Sequence, residues 1–317
     1  MIKYVVVVLA TLFLLLGVSL FGTSWYLLDY ALKPGDRGRQ TELAWQQMDS
    51  IYPGLRSWYD SLNTAGLLHD TVIAAPDGAR LHAEYVRSAK PTRRTAVLVH
   101  GYTDCGVRMM HLARMYYRDM GANLIVPDLR NAGGTDGDHF QMGWKDRYDV
   151  KQWISLVPEL FGDSATVVVH GVSMGGATTM MLSGDADVPS MVKGYVDDCG
   201  YTSVDDQFTK ELKEQYGLPR FPLIPAASTL CRFRYGWDFS EASALNQVRQ
   251  CTRPMLFIHG SADTYVPTSM VYALYEAHKG KKALWVAPDA IHARSYQVYP
   301  QEYTRRVSRF LNQQTEW

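Results

Sequence analysis

The arrangement of apolar segments constrains this fold more than any other feature of the sequence. Short, wholly apolar runs such as Ala96–Val99 recur along the chain and alternate with segments of helical periodicity. Such runs are typical of strands that are covered on both faces of a sheet. Strands are predicted at residues 71–74, 81–86, 96–99, 123–127, 166–169, 192–196, 255–258 and 283–286, and helices at 109–120, 144–156, 175–182, 269–277 and 302–311. The alternation predicts an α/β fold with a mostly parallel sheet and helices on both faces.

Two regions lie outside this alternation. Residues 29–69 form a polar, aromatic-rich connector in which short helices are expected, with a break at Pro53-Gly54. Residues 203–248 interrupt the strand series with three prolines, many aromatic residues and no strand pattern. Ligands of open α/β sheets bind outside the carboxyl ends of the strands. A helical insertion at this point would therefore roof a binding site.

The amino-terminal segment contains a long uncharged stretch, Tyr4–Leu28. At about 1.5 Å rise per residue, this stretch is long enough to cross a hydrocarbon core of about 30 Å. Trp25 and Tyr30 lie where interfacial aromatic residues are expected. The apolar core of a secretory signal is usually about 7–15 residues, but this stretch continues past the small residues at 22–24. It therefore favours an uncleaved single-pass membrane anchor over residues 1–28, with a cleaved secretory signal as the alternative.

The charges around this stretch leave its orientation open. Lys3 precedes it, and Lys33, Arg37 and Arg39 follow it. A count of the flanking cations places the globular part in the cytoplasm. A short amino terminus with one lysine is also how an exported signal-anchor begins, and we favour export.

Composition narrows the classes of function. The 32 basic residues balance the 32 acidic ones, so no net positive field favours nucleic acid as a partner. A hydrophobic fraction of 47% with 20% charged residues argues for a folded globular chain. Cys105, Cys199, Cys231 and Cys251 form no C-x-x-C pair, which gives no support for a zinc site. Free buried thiols are expected, although the spacing does not choose among the possible disulfide pairings.

One motif carries a specific chemical prediction. Residues Gly171–Gly175 read Gly-Val-Ser-Met-Gly, directly after the predicted strand at 166–169 and directly before the predicted helix at 175–182. A sharp strand-to-helix turn holds the Ser173 hydroxyl above the sheet edge, and the glycines leave room where a Cβ would strike neighbouring backbone. The motif predicts Ser173 as a nucleophile.

A serine hydroxyl needs a base, which in turn is oriented by an acid. In hydrolases of this plan the chain order is serine, acid, histidine. Asp263 and His292 follow predicted strands in that order. Asp198 and Asp197 compete for the role of the acid. The other histidines are assigned structural or remote positions: His69, His82, His100, His111, His139, His170, His259 and His278.

Negative charge that develops on a substrate oxygen must be met by N–H donors. The backbone N–H of Met174, the residue after the nucleophile, is one expected donor. The second is the backbone N–H of Tyr102, in the loop that follows the strand at 96–99. His100 is expected to brace this loop.

These segments together resemble the α/β-hydrolase superfamily, and more narrowly the bacterial serine hydrolases similar to the prolyl-oligopeptidase and serine-aminopeptidase groups. The segments that carry the resemblance occur in the family's order: His100–Thr103, Asp128–Arg130, Gly171–Gly176, Asp198–Tyr201, His259–Asp263 with Val266-Pro267, and His292. The resemblance implies a Ser173–His292–Asp263 triad on an eight-stranded sheet with a helical cap. One departure is Asn131-Ala132-Gly133, where many relatives have Gly-His-Gly.

The predicted domain organisation follows. Residues 1–28 are the membrane anchor, 29–69 the helical connector and 70–317 the α/β-hydrolase domain, with the cap inserted at about 203–248.

The leading hypothesis is a serine hydrolase that cleaves small-molecule carboxylic esters and needs no metal or organic cofactor. The resemblance also implies amide hydrolysis of short peptides, for which Glu211 and Glu214 could hold a peptide amino terminus. Fewer than seventy residues precede the hydrolase domain, so the propeller of prolyl oligopeptidases is not expected. A third hypothesis is a non-catalytic, membrane-anchored binding protein that keeps the fold. An aspartate-nucleophile dehalogenase or epoxide hydrolase is disfavoured because Ser173 occupies the nucleophile position.

Overall fold

Eight strands form one sheet in the computed structural model, which describes residues 1–317. The strand order is β1-β2-β4-β3-β5-β6-β7-β8. The strands are β1 (Leu68–Ala74), β2 (Arg80–Val86), β3 (Arg94–Val99), β4 (Asn123–Pro127), β5 (Thr166–Val172), β6 (Val192–Asp198), β7 (Met255–Gly260) and β8 (Lys282–Ala287). Strands β3 to β8 are parallel, whereas β1 and β2 form an antiparallel hairpin at one edge. The predicted α/β fold with a mostly parallel sheet is confirmed.

Helices cover both faces of the sheet. They are α1 (Ile2–Leu32), α2 (Thr41–Ile51), α3 (Leu55–Thr64), α4 (Met110–Met120), α5 (Asp146–Ser155), α6 (Val157–Phe161), α7 (Met174–Ser183), α8 (Val204–Tyr216), α9 (Arg220–Tyr235), α10 (Ala244–Val248), α11 (Ser269–Ala277), α12 (Ser295–Val298) and α13 (Pro300–Gln314). Strand β3 illustrates why its sequence is apolar throughout: Val97 and Val99 pack into the core on one face, and Ala96 and Leu98 into the core on the other.

Helix α7 lies at the centre of the sheet, directly after strand β5. All ten of its residues are buried, which accounts for a sequence without a polar face. Its first residue, Met174, comes two positions after the end of β5. The helix therefore begins directly at the carboxyl edge of the central strand.

The insertion between β6 and β7 contains α8, α9 and α10. The hydroxyl of Ser203 accepts a hydrogen bond from the Asp206 N–H and caps α8, and Ser243 caps α10 in the same way through Asn246. The helices cross the carboxyl edge of the sheet, as a cap would. The boundaries of the predicted domains stay a prediction.

Helix α1 is one continuous helix that runs through the predicted boundary at residue 28. Its side chains from Ile2 to Ser19 are exposed, but Ser24, Leu28 and Leu32 are buried against the globular part. The helix is long and apolar enough to cross a membrane, and a signal sequence near an amino terminus would pass the same test.

Candidate active site

Ser173 lies in a strained strand-to-helix turn. Its backbone has φ 58° and ψ −119°, and its N–H donates to the Asp198 carbonyl at the end of β6. A Cβ on Gly171 would lie 1.9 Å from the Gly175 carbonyl oxygen, and a Cβ on Gly175 would lie 2.0 Å from the Val99 carbonyl oxygen. Both glycines are therefore required by close packing, and the turn fixes the serine side chain at the sheet edge.

The structure brings Ser173, His292 and Asp263 together. The distance between Ser173 Oγ and His292 Nε2 is 2.8 Å, and that between His292 Nδ1 and Asp263 Oδ2 is 2.7 Å. An ionised carboxylate only accepts hydrogen bonds, so Nδ1 carries the imidazole proton and Nε2 accepts from the serine hydroxyl. The three side chains thus form a continuous hydrogen-bond chain with the tautomer that proton transfer from serine requires.

Asp263 is held by four donors. Its Oδ1 accepts the N–H groups of Tyr265 and Val266, at 3.0 and 2.9 Å. Its Oδ2 accepts from His292 and lies 3.2 Å from Nε2 of the buried His259. Burial by itself would raise the pKa of Asp263, but the hydrogen bonds from His259 and His292 outweigh burial and hold the pKa well below the ordinary carboxyl value. Asp263 is therefore ionised throughout the neutral range.

The two competing acids make other contacts. Asp198 Oδ2 accepts from the Tyr303 hydroxyl at 2.8 Å, and Asp197 Oδ1 accepts from the Gly200 N–H at 3.0 Å. Burial raises the pKa of Asp198 to about 6 and that of Asp197 to about 7. Neither carboxyl group is hydrogen-bonded to His292, so neither belongs to the Ser173–His292–Asp263 hydrogen-bond chain.

The remaining histidines near the edge have structural contacts. His170 lies between the hydroxyls of Tyr116 and Tyr303, at 3.1 and 2.9 Å, and burial lowers its pKa to about 3. His100 donates from Nδ1 to the Gly101 carbonyl and accepts the Leu129 N–H at Nε2. It therefore ties the loop after β3 to the loop after β4.

The two predicted oxyanion donors lie on either side of Ser173. The N–H groups of Tyr102 and Met174 have no hydrogen-bond acceptor within the protein. A Cβ on Gly101 would lie 3.4 Å from the Ser173 Cβ, which places the Tyr102 loop directly beside Ser173. The Met174 N–H belongs to the first turn of α7, where backbone donors are left free. The arrangement is suited to bind an oxyanion.

An apolar cavity of about 120 Å³ opens at Ser173. Its walls come from the Tyr102 loop, the cap helices α8 and α9, and the last turns of α1, which contribute Leu27, Leu28, Tyr30 and Ala31. The sequence pattern indicated a cap over the site but did not indicate that α1 would line it. Among the aromatic residues of the cap, Phe208, Tyr216 and Phe239 line this cavity, whereas Phe221 and Phe233 are exposed.

One cluster of potential metal ligands overlaps the site. Donor atoms of Cys199, Asp263 and His292 lie within 4.8 Å of one another. Two of them are already joined by the His292–Asp263 hydrogen bond, and burial raises the pKa of the Cys199 thiol well above its usual value. The cluster is therefore explained by the hydrogen-bond chain with a neutral thiol beside it. All four cysteines are free and buried.

Solved structures show the same fold. The esterase Pf2001 of Pyrococcus furiosus is 23% identical and superimposes with a TM-score of 0.63, covering 80% of this chain and 95% of its own. The acylaminoacyl peptidase of Pyrococcus horikoshii is 17% identical with a TM-score of 0.60, covering 81% of this chain and 43% of its own. At these identities the likeness concerns the fold.

Sequence comparison adds the family. The uncharacterized protein YqkD of Bacillus subtilis is 31% identical over 224 residues, which make up 70% of this chain and 72% of YqkD. A model of the prolyl oligopeptidase family matches residues 108–316, a range that contains Ser173, Asp263 and His292. With the α/β-hydrolase sheet beneath that match, the chain belongs to the prolyl oligopeptidase family of serine hydrolases.

Proposed function

We propose that this protein is a membrane-anchored serine esterase that cleaves carboxylic esters through an acyl-enzyme intermediate. The observation that carries the proposal is the hydrogen-bond chain from Ser173 through His292 to Asp263. A serine hydroxyl paired with a neutral imidazole, whose second nitrogen donates to an ionised carboxylate, is an activated nucleophile.

The proposed reaction has two steps. In the first, Ser173 Oγ bonds to the acyl carbon while its proton passes to His292 Nε2, and the N–H groups of Tyr102 and Met174 stabilise the oxyanion. The C–O bond to the alcohol then breaks, and His292 returns the proton to the leaving oxygen. In the second, water attacks the acyl-enzyme by the same route, and Asp263 orients the imidazole in both steps.

The cavity favours an ester over a peptide. A peptidase that grips a peptide amino terminus needs a free carboxylate near Ser173, and Glu211 is the one acidic residue in the cavity wall. Its carboxylate is already engaged by Lys210 at 3.0 Å and by the amides of Gln207 and Gln215. Glu214 pairs with the same lysine and lies outside the cavity. The cavity therefore offers little unpaired negative charge to bind the ammonium group of a peptide amino terminus.

Retention of α1 as an anchor is the second part of the proposal. The last turns of α1 pack on α9, and Asp29 pairs with Arg234 at 2.8 Å. Cleavage after the small residues 22–24 would free a helix end that is part of the cavity wall. We infer that the segment is kept, with the hydrolase domain exported, and protease accessibility in intact cells checks that orientation.

Hydrolysis by the full-length protein in detergent micelles tests the activity. p-Nitrophenyl acyl esters are compared with aminoacyl-p-nitroanilides, using Ser173→Ala as the control. We expect a higher kcat/KM for the esters and loss of turnover in the variant. Preferential cleavage of the anilides would establish the peptidase alternative instead. Turnover that survives in Ser173→Ala would contradict the proposed nucleophile.

A further inference from the structure

Helix α1 contributes both the proposed membrane-spanning segment and part of the cavity wall. From Tyr4 to Trp25, α1 spans about 32 Å at about 1.5 Å per residue, which matches a hydrocarbon core of about 30 Å. Trp25 then lies at the interface, where tryptophan is favoured. The cavity wall begins two residues later, at Leu27, and ends at Ala31, about 3 to 9 Å further along the axis. The headgroup layer adds about 5–8 Å on each side of the core, so this wall lies within or just beyond that layer.

The end of α1 is also fixed to the site. The Tyr102 hydroxyl donates to the Ala31 carbonyl at 2.7 Å, and the Phe140 N–H donates to the Leu32 carbonyl at 2.8 Å. Both bonds satisfy carbonyl groups that a helix end leaves free. Tyr102 belongs to the loop that carries the proposed oxyanion donor, so no flexible linker separates the membrane helix from the reacting groups.

The cap helix that packs on α1 bears the most exposed phenylalanines of the globular part. Phe221 and Phe233, near the two ends of α9, are 76% and 83% exposed. The adjacent Arg220 and Arg232 are half exposed, and they pair with Asp205 and with Asp238 and Glu241, respectively. Exposed aromatic residues next to arginine are suited to the boundary between acyl chains and headgroups.

We propose that the substrate is a membrane-resident lipid ester, and that the last two turns of α1 form one wall of the pocket for its acyl chain. This inference rests on the proposed esterase function. The almost entirely apolar lining accepts a hydrocarbon chain. The ester reaches Ser173 from the headgroup layer, the acyl group is transferred to Oγ, and the alcohol leaves with the proton from His292.

The test uses the full-length protein reconstituted in phosphatidylcholine vesicles that contain 1-dodecanoylglycerol, with p-nitrophenyl acetate as a water-soluble ester. Ala31→Trp fills the pocket wall, and Ala10→Trp makes the same substitution on an exposed turn of the same helix. We expect Ala31→Trp to lower the dodecanoyl-to-acetyl ratio of kcat/KM by at least about tenfold, the scale of a lost methylene fit or more. Ala10→Trp should leave the ratio within about twofold.

A second variant, which should widen the pocket, keeps the test decisive if Ala31→Trp fails to fold. Tyr30 is exposed at the cavity wall, and Tyr30→Ala should move the preferred acyl length of a p-nitrophenyl ester series to longer chains. The inference is overturned if wild-type protein cleaves the acetate but not the vesicle-borne lipid, or if neither wall variant differs from Ala10→Trp. Absence of cleavage of both esters, together with no fluorophosphonate labelling of Ser173, would instead remove the esterase function on which the inference rests.

Discussion

The edge of the sheet that carries the proposed triad and the cavity wall that faces it are built in different ways. The edge is fixed by hydrogen bonds: Asp263 alone accepts from two backbone N–H groups and from His292, and His259, which is bonded to the Val266 carbonyl, lies 3.2 Å away. The wall is fixed mainly by apolar packing of α1, α8 and α9, and few polar groups line it. The comparison indicates that reactivity depends on the conformation of three loops. We expect selectivity to depend on elements outside the sheet, of which α1 is tied to the Tyr102 loop by the Tyr102–Ala31 hydrogen bond.

The largest expected effect comes from removing the nucleophile. Ser173→Ala should lower kcat for ester hydrolysis by about 10⁴-fold or more, because no other hydroxyl is paired with His292. Ser243→Ala is the matched control: it removes the cap of α10 and should cost about 1 kcal/mol of stability without loss of activity. The measurements are the ester hydrolysis rate and the thermal unfolding midpoint of both variants. Equal activities of Ser173→Ala and Ser243→Ala would contradict the role proposed for Ser173.

The next effect separates the candidate acids. Asp263→Asn should lower kcat by about 10³- to 10⁴-fold, because an amide does not stabilise the imidazolium or fix its tautomer. Asp198→Asn preserves an acceptor for the Tyr303 hydroxyl and should change kcat far less. The measurement is kcat for both variants at neutral pH. A larger loss in Asp198→Asn would show that the acid has been misassigned.

These acids also show what could be predicted from the sequence. The order of Ser173, Asp263 and His292, each after a predicted strand, picks out three residues that the structure places in one hydrogen-bond chain; their catalytic roles stay a prediction. Strand β5 is longer than predicted, since it continues past Val169 to Val172. His170 and Gly171 break the apolar pattern but are buried, so a hydropathy pattern alone ends the strand too early.

The residues that line the cavity wall could not be predicted from the sequence, for a physical reason. Leu27 and Leu28 end the apolar stretch, and Ala31 follows it after Asp29. An apolar residue has the same sequence pattern whether it contacts lipid, protein or substrate. The contact of His259 with Asp263 was also missed, although His259 lies near the end of β7 and Asp263 follows it by four positions. Distances in space were needed to separate these roles.

A stability measurement tests a second hydrogen-bonded loop at the carboxyl edge of the sheet, the loop around Asp128. The pKa of His82 is raised to about 9, chiefly by its hydrogen bond to Asp128 and against the effect of burial. Asp128 also accepts the N–H groups of Gly106 and Gly134. A folded-state pKa above the ordinary value of about 6.5 gives stabilisation that is complete below about pH 6.5 and is lost as the pH rises through about 9.

The thermal midpoint of the wild-type protein should therefore fall between pH 6.5 and 9.5 by more than that of His82→Gln. We expect a difference between the two proteins on the order of 2 kcal/mol in unfolding free energy. Parallel pH profiles of the two midpoints would mean that the imidazolium does not stabilise the loop.

The smallest effect is expected where α1 meets the cap. Arg234 pairs with Asp29 and stacks on Trp25, at 3.9 Å from the ring centroid. Arg234→Ala should cost about 1 kcal/mol and weaken turnover of long-chain esters a few-fold, because the pair is only partly buried. Arg249→Ala, which removes an exposed arginine bonded to Asn246, serves as the control. Identical long-chain kinetics in the two variants would show that the contact does not support the wall.

Labelling with a fluorophosphonate tests the central claim most directly, because the probe reacts with a serine only when its hydroxyl is activated. The full-length protein is treated in detergent micelles, and peptide mass spectrometry locates the adduct. The account predicts one adduct on Ser173, formed more slowly in His292→Ala and absent in Ser173→Ala. A folded wild-type protein that stays unlabelled, or that carries the adduct on another serine, would contradict it.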